Sequence, residues 1–146
     1  ADWNRKGIAC DGAVIYYGPA FILDLYKKGR QVVNRYYLHA LFHCLFCHLY
    51  TRKGREKEMW DLACDIAMES VLDGMYEKCI HIPQSPLRRE AYLRIRRFLT
   101  GNRTAGASSE EERNIVLTAE RVYHAFMGNG SSGEKITPAS GRISFR

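Results

Sequence analysis

Two histidines, His39 and His43, lie four residues apart in a long run of apolar and aromatic residues. On an α-helix this spacing places both imidazoles on one side, about 40° apart around the axis. A zinc peptidase helix uses the same spacing and adds a glutamate directly after the first histidine as general base. Here that position is Ala40. The spacing therefore predicts a helix that holds a metal ion more clearly than it predicts hydrolysis.

Two long helices are predicted in the middle of the chain. The first covers residues 31–50, and its apolar residues occupy most of the helix circumference, which indicates a central buried helix. These apolar residues are Val32, Val33, Tyr36, Tyr37, Leu41, Leu45 and Leu49. The second covers about residues 56–73, with Gly74 as its C-cap. Its predicted inward face consists of Met59, Leu62, Ala63, Ile66 and Ala67.

A useful metal site needs a third protein ligand beside the two histidines. Asp65 is the first choice, because it lies among apolar residues of the second long helix, where an acid needs a partner. Glu69 lies one turn later on the same face. One of these carboxylates is expected to bind the metal, while the other orients a histidine or a bound water.

Other residues compete for the third position. His48 follows His43 by five residues, so it reaches the site only where the helix unwinds. Cys47 continues the stripe of the two histidines and offers a thiolate, which is a good zinc ligand. Cys44 and Cys47 have the spacing of a zinc knuckle, but the sequence has no second such pair.

The alternative without a metal is that His39 and His43 are core residues, hydrogen-bonded to the backbone or to Asp65. The predicted helix over residues 56–73 favours a metal site over this alternative. Two apolar helices that each bury titratable groups pose a desolvation problem that one divalent cation solves for all of them.

Before the long helices, residues 13–17 are β-branched and aromatic and are predicted to form a strand. Pro19 suits the first turn of a helix that ends by residue 28, before Gly29. The predicted fold class is α+β and predominantly α-helical, with two long central helices and a small β-strand element.

After the long helices, Pro86 opens a basic helix to about residue 99, whose arginines are expected on a solvated outer face rather than around phosphates. Ser109 and Glu112 match a capping box at the start of a last helix. The Gly- and Ser-rich end predicts a flexible tail or linker over residues 128–146, after a domain over residues 1–127.

The composition fits one soluble domain, because 146 residues with 46% hydrophobic residues bury one sizeable core. No apolar run approaches the roughly 18 residues of a membrane span, and no signal-peptide core is visible, so a cytoplasmic protein without membrane contact is expected. The net charge of +6 is ordinary for solubility and by itself does not indicate nucleic-acid binding. The odd number of cysteines argues against a disulfide framework.

Two segments carry a resemblance to a known family. Residues 37–48 read YLHALFHCLFCH, and residues 60–69 read WDLACDIAME. Together they resemble the metallopeptidase domain that precedes a von Willebrand factor A-like domain in many bacterial proteins. The likeness extends over roughly residues 11–126. In many members of that family a glutamate follows the first histidine of the first motif, where this chain has Ala40.

The resemblance implies a zincin-like fold, a divalent metal such as zinc, and association with a MoxR-type AAA+ ATPase. Carried over residue by residue, it implies His39, His43 and Asp65 as metal-site residues, with His48 and Glu69 as their neighbours.

Two functions follow from these observations. The first is a zincin-like metallopeptidase acting on a peptide or protein substrate, with Glu69 as the catalytic base because it is the only nearby acid that the helical period indicates. The second is a non-catalytic interaction module that docks a partner such as a MoxR-type ATPase. Ala40 favours the second function, and the constellation of histidines and acids favours the first.

Overall fold

The computed structural model describes residues 6–101 and 114–128. The predicted α+β, predominantly α-helical class is confirmed, because the described residues form mostly helices and one small two-stranded sheet. The elements in chain order are β1 (Ile8–Cys10), β2 (Ile15–Tyr17), α1 (Pro19–Lys28), α2 (Arg30–Leu45), α3 (Lys57–Gly74), α4 (Pro86–Leu99) and α5 (Ala119–Gly128).

The sheet is an antiparallel hairpin of β1 and β2, with Ile8 opposite Tyr17. Only the second strand was predicted from the sequence. The turn is closed by Asp11, whose Oδ1 accepts hydrogen bonds from the backbone N–H groups of residues 13 and 14 at 2.9 and 2.8 Å. Gly12 has a φ of +95°, which favours glycine at this position. Tyr50 donates a hydrogen bond to the Asp11 carbonyl at 3.2 Å and so fastens the hairpin to the segment after α2.

Helix α3 is the central helix of the described residues, and it packs against α2 and α5. It begins at Lys57 because both carboxylate oxygens of Glu56 accept hydrogen bonds from first-turn backbone N–H groups. Nine of its residues are buried, which decides its central place. The cluster that α3 forms with α4, α5 and the residue segment before α5 contains Ala63, Ile66, Tyr92, Ile95, Leu117, Val122 and Ala125.

The prediction of a central buried helix over residues 31–50 was wrong in two respects. Arg35 is the one buried residue of α2, whereas Tyr37 and Leu45 are 49% and 68% exposed, because α2 is covered by other elements on part of its surface only. The helix also ends at Leu45. Cys47 has a φ of +56°, and the N–H groups of Cys47 and His48 donate to the carbonyls of residues 44 and 43. These bonds form a Schellman motif, which stops the helix and turns the chain back.

The last helix also begins later than the capping box predicts. Helix α5 starts at Ala119, and Thr118 accepts a hydrogen bond from the Arg121 N–H at its start. Residues 115 and 116, predicted as helical, lie before this cap. Ser109 and Glu112 lie outside the described residues, as does the predicted tail apart from its first residue. The domain boundary therefore stays a prediction.

Helix α4 begins at Pro86, as the sequence predicts, and Ser85 caps it by accepting a hydrogen bond from the Arg88 N–H at 3.2 Å.

Within residues 6–101 and 114–128, each helix is too short or too polar to traverse a lipid bilayer.

One substitution pair on α4 tests the core. Ile95 is 1% exposed and Leu87 is 73% exposed. We expect Ile95→Ala to lower the free energy of unfolding by about 2–5 kcal/mol, because it removes buried methyl and methylene groups and leaves a cavity. Leu87→Ala should change it by no more than about 0.5 kcal/mol. Urea denaturation of both variants measures the difference, and equal effects would contradict the burial of Ile95 in the core.

Candidate metal centre

Two rows of polar side chains face each other between α2 and α3. Members of each row lie four residues apart, so they share one face of their helix. The rows are Arg35, His39 and His43 on α2 and Asp65, Glu69 and Asp73 on α3. Because the two helices pack against each other, the rows meet, and every member of one row contacts a member of the other.

Three donor atoms converge at one end of these rows. His39 Nε2 lies 2.9 Å from His43 Nε2 and 3.5 Å from Asp65 Oδ1, and His43 Nε2 lies 3.2 Å from the same oxygen. Tetrahedral ligands at zinc distances of about 2.0–2.2 Å are about 3.4 Å apart. The three atoms therefore form a triangle of the size that three corners of such a site require.

The triangle opens into a cleft of about 690 Å³. One wall is β1 with the residues just before it, and another is formed by α2 and α3. Ala40 lines this cleft beside the two histidines. Asp61 and Asp65 are the acids that line it among the described residues. The three residues of the triangle, His39, His43 and Asp65, all line this cleft.

Glu69 lies behind His39 rather than in the cleft. His39 Nδ1 donates a hydrogen bond to Glu69 Oε1 at 2.8 Å, on the side of the ring away from Nε2. The other carboxylate oxygen accepts hydrogen bonds from Arg35 and Arg88, at 3.0 Å from Arg35 Nε and 2.9 Å from Arg88 Nη1. Burial opposes ionisation of Glu69, but the hydrogen bond from His39 and the charge of Arg35 hold its pKa below its ordinary value.

His48 contacts the side of His43 that faces away from Asp65, but unlike Glu69 it also lines the cleft. The Schellman motif returns the chain so that His48 Nδ1 is 3.3 Å from His43 Nδ1, the nitrogen that points away from Asp65. Trp60 Nε1 donates to the His48 carbonyl at 3.3 Å and fixes this turn against α3. Burial, together with the nearby charge of His43, lowers the pKa of His48 to about 4. His48 is therefore neutral near pH 7.

The acids shift the proton affinity of His39 strongly. Burial opposes its charged form, yet the hydrogen bonds to Asp65 and Glu69 outweigh burial and raise its pKa to about 9. Burial also opposes ionisation of Asp65, but its hydrogen bonds with His39 and His43 lower its pKa. A positive charge at the triangle, from a proton or from a metal, is thus strongly favoured.

The structure brings His39, His43 and Asp65 together and places Glu69 and His48 one contact further out. Cys47 is exposed beyond the end of α2 and does not line the cleft. Cys44 lies against Cys10. Neither Cys44 nor Cys47 therefore joins the three donor atoms.

Sequence reasoning missed the arginines that hold Glu69. Arg35 is buried and lies between Glu69 and Asp73. Arg88, expected on a solvated face of α4, contacts the same two acids with a side chain that is 14% exposed. A signal was present, because Arg35 precedes His39 by four residues and Asp73 follows Glu69 by four. The same four-residue spacing, extended by one turn along each helix, indicates that Arg35 and Asp73 face each other.

The raised pKa of His39 gives a testable pH dependence. The folded, metal-free protein holds the His39 proton more tightly than the unfolded chain does, because the pKa is raised from 6.5 to about 9. The resulting contribution to the free energy of unfolding is fully present below pH 6.5 and is lost as pH rises through about 9. An NMR titration should show His39 titrating near pH 9. Asp65→Asn should lower that pKa, whereas Asp24→Asn, an exposed acid paired with Lys27, should not. An unchanged pKa in Asp65→Asn would contradict the described contacts.

The sequence of the chain matches a known protein family. The family model described as "Putative metallopeptidase domain" matches residues 1–144. Searches of curated proteins and of solved structures found no match. Because the family model spans almost the whole sequence, the chain belongs to this metallopeptidase-domain family.

Proposed function

We propose that this chain is a divalent-metal-binding domain of metallopeptidase type, in which His39, His43 and Asp65 hold one zinc ion. The observation that carries the proposal is the triangle of two imidazole nitrogens and one carboxylate oxygen, open to the cleft. Zinc accepts this donor set, and catalytic zinc sites use three protein ligands and leave one position for water or substrate. We also propose that the domain has a zincin-like fold.

The surroundings of the three donors support the fit. A histidine that binds metal through one nitrogen usually donates a hydrogen bond from the other, which fixes its tautomer and ring orientation. Glu69 provides this partner for His39. Neutral His48 provides it for His43, when His43 Nδ1 donates to His48 Nδ1. Both Nε2 atoms then direct lone pairs toward Asp65, and this arrangement requires a cation.

A divalent cation in this position supplies Lewis acidity toward an oxygen ligand. Hydrolysis also requires a base within hydrogen-bond reach of the attacking water. Both oxygens of Glu69 are engaged by His39 and the two arginines, and Glu69 does not line the cleft. We therefore propose that Glu69 orients His39. We propose Asp61, which lines the cleft and pairs with Lys57 through Oδ2 at 2.6 Å, for the role of base.

The second candidate is a metal-stabilised interaction module that docks a partner such as a MoxR-type AAA+ ATPase. Two observations favour it. Ala40 lines the cleft where the family pattern has a glutamate. Large apolar side chains on α1 and α2 are exposed, among them Leu23 at 61% and Tyr26 at 57%. Both candidates need the same metal site, and they differ in whether the loaded protein cleaves peptides.

The metal site is tested by zinc content. Elemental analysis of purified, zinc-loaded protein after extensive dialysis should give one equivalent of zinc. We expect His43→Ala to lose it, because the variant keeps only two of the three donors. His81→Ala, which removes an exposed histidine outside the cleft, should retain it. Circular dichroism checks that each variant folds. Retention of the full equivalent by folded His43→Ala would refute the site.

The role of Glu69 is tested by Glu69→Gln. If Glu69 orients His39, zinc affinity should fall about 10–100-fold, because the amide is a weaker partner for the His39 N–H. Glu58→Gln, at an exposed position of the same helix, should leave the affinity unchanged. Zinc titrations with a competing chelator measure both.

Peptide cleavage completes this test: the zinc-loaded unmodified protein and Glu69→Gln are each incubated with a broad panel of peptides, and cleavage is measured. Unchanged zinc affinity with loss of cleavage in Glu69→Gln would contradict the orienting role and assign Glu69 as the base. Full zinc occupancy without cleavage in the unmodified protein would favour the interaction module.

A further inference from the structure

Two cysteine sulfurs meet where the hairpin packs on α2. Cys10, the last residue of β1, and Cys44, near the end of α2, have their Sγ atoms 2.8 Å apart. A disulfide bond is about 2.05 Å long, so a shift of about 0.8 Å joins the two atoms. The separation of the two sulfurs is thus close to that of a disulfide bond.

Both sulfurs are held in place by the backbone around them. The Gly12 N–H donates to Cys10 Sγ at 3.3 Å, and the Cys44 thiol contacts the Ala40 carbonyl at 3.5 Å. The hairpin is itself fastened by the hydrogen bond from Tyr50 to Asp11. The contact between the sulfurs therefore follows from the packing of β1 on α2, and the other cysteines have no such partner among the described residues.

A dissolved molecule can reach this pair. Cys10 and Cys44 are both partly exposed, and Cys10 lines the cleft. Cys64, by contrast, is buried. Cys47 and Cys79 are exposed, but the structure shows neither beside another sulfur.

We propose that Cys10 and Cys44 form a redox-active dithiol, which a small-molecule disulfide such as oxidised glutathione converts into an intramolecular disulfide bond. The Cys10 thiolate attacks one glutathione sulfur and releases the first glutathione as a thiolate. Cys44 then attacks the Cys10 sulfur of the mixed disulfide and releases the second glutathione. The protein loses two electrons and two protons, and these appear in two molecules of reduced glutathione.

The bond ties the β1 wall of the cleft to α2 at the residue directly after His43. It fixes the width of the cleft on that side in the oxidised protein and leaves the wall held by non-covalent contacts in the reduced protein. This inference rests on the two sulfurs alone and does not require a bound metal.

The experiment treats the folded, reduced full chain with oxidised glutathione, alkylates the remaining thiols and maps the digest by mass spectrometry. We expect a peptide pair that joins Cys10 to Cys44, two fewer alkylated thiols, and a melting temperature several degrees higher than that of the reduced protein. Reduced glutathione should reverse all three changes.

Cys10→Ser and Cys44→Ser should each abolish the linked peptide pair and the rise in melting temperature. Cys79→Ser is the matched control, because it removes an exposed cysteine away from the cleft, and it should still form the bond. Three results would overturn the proposal: alkylation of both Cys10 and Cys44 after oxidation, a bond of either residue to Cys47 or to a second chain, or a mixed glutathione disulfide that does not close.

Discussion

The carboxylate of Glu69 joins the three helices on which the rest of the structure depends. One oxygen accepts the His39 N–H from α2, and the other accepts hydrogen bonds from Arg35 on α2 and Arg88 on α4. Glu69 and Arg35 are almost fully buried. A buried charge of this kind persists only when it is paired, and removal of one partner leaves the others unpaired at a large cost. The same interaction therefore holds the helices together and sets the orientation of His39.

The candidate site extends this network by one contact toward the cleft. Glu69 and His48 each occupy the nitrogen of a histidine that faces away from Asp65, so the remaining two nitrogens face the Asp65 carboxylate. A proton satisfies this arrangement in the metal-free protein, which is why the pKa of His39 is raised to about 9. A divalent cation bound at the proposed site would compete for the same point, and its binding would release the proton. Metal binding and proton binding are thus alternative ways of neutralising one cluster.

The helical period was enough to predict much of the fold and the three residues whose donor atoms converge, His39, His43 and Asp65. Pro19 and Gly29 indicated where α1 begins and ends. The four-residue spacing of His39 and His43, together with an acid in an apolar helix, indicated Asp65 as their partner. The burial of α2 was misjudged because apolar content does not tell which face a neighbouring helix covers. The position of His48 depends on a left-handed Cys47, a conformation usually taken by glycine, so the sequence contained no stop signal there. Arg88 was read as solvated because the spacing within α4 does not reveal an acid on α3.

X-ray absorption spectroscopy of the zinc-loaded protein at the zinc edge tests the central claim most directly, because it reports the atoms around the metal. The account predicts nitrogen and oxygen neighbours at about 2.0–2.2 Å, with the scattering pattern of two imidazole rings and no sulfur. A sulfur shell near about 2.3 Å, or a spectrum without imidazole scattering, would contradict a site built from His39, His43 and Asp65.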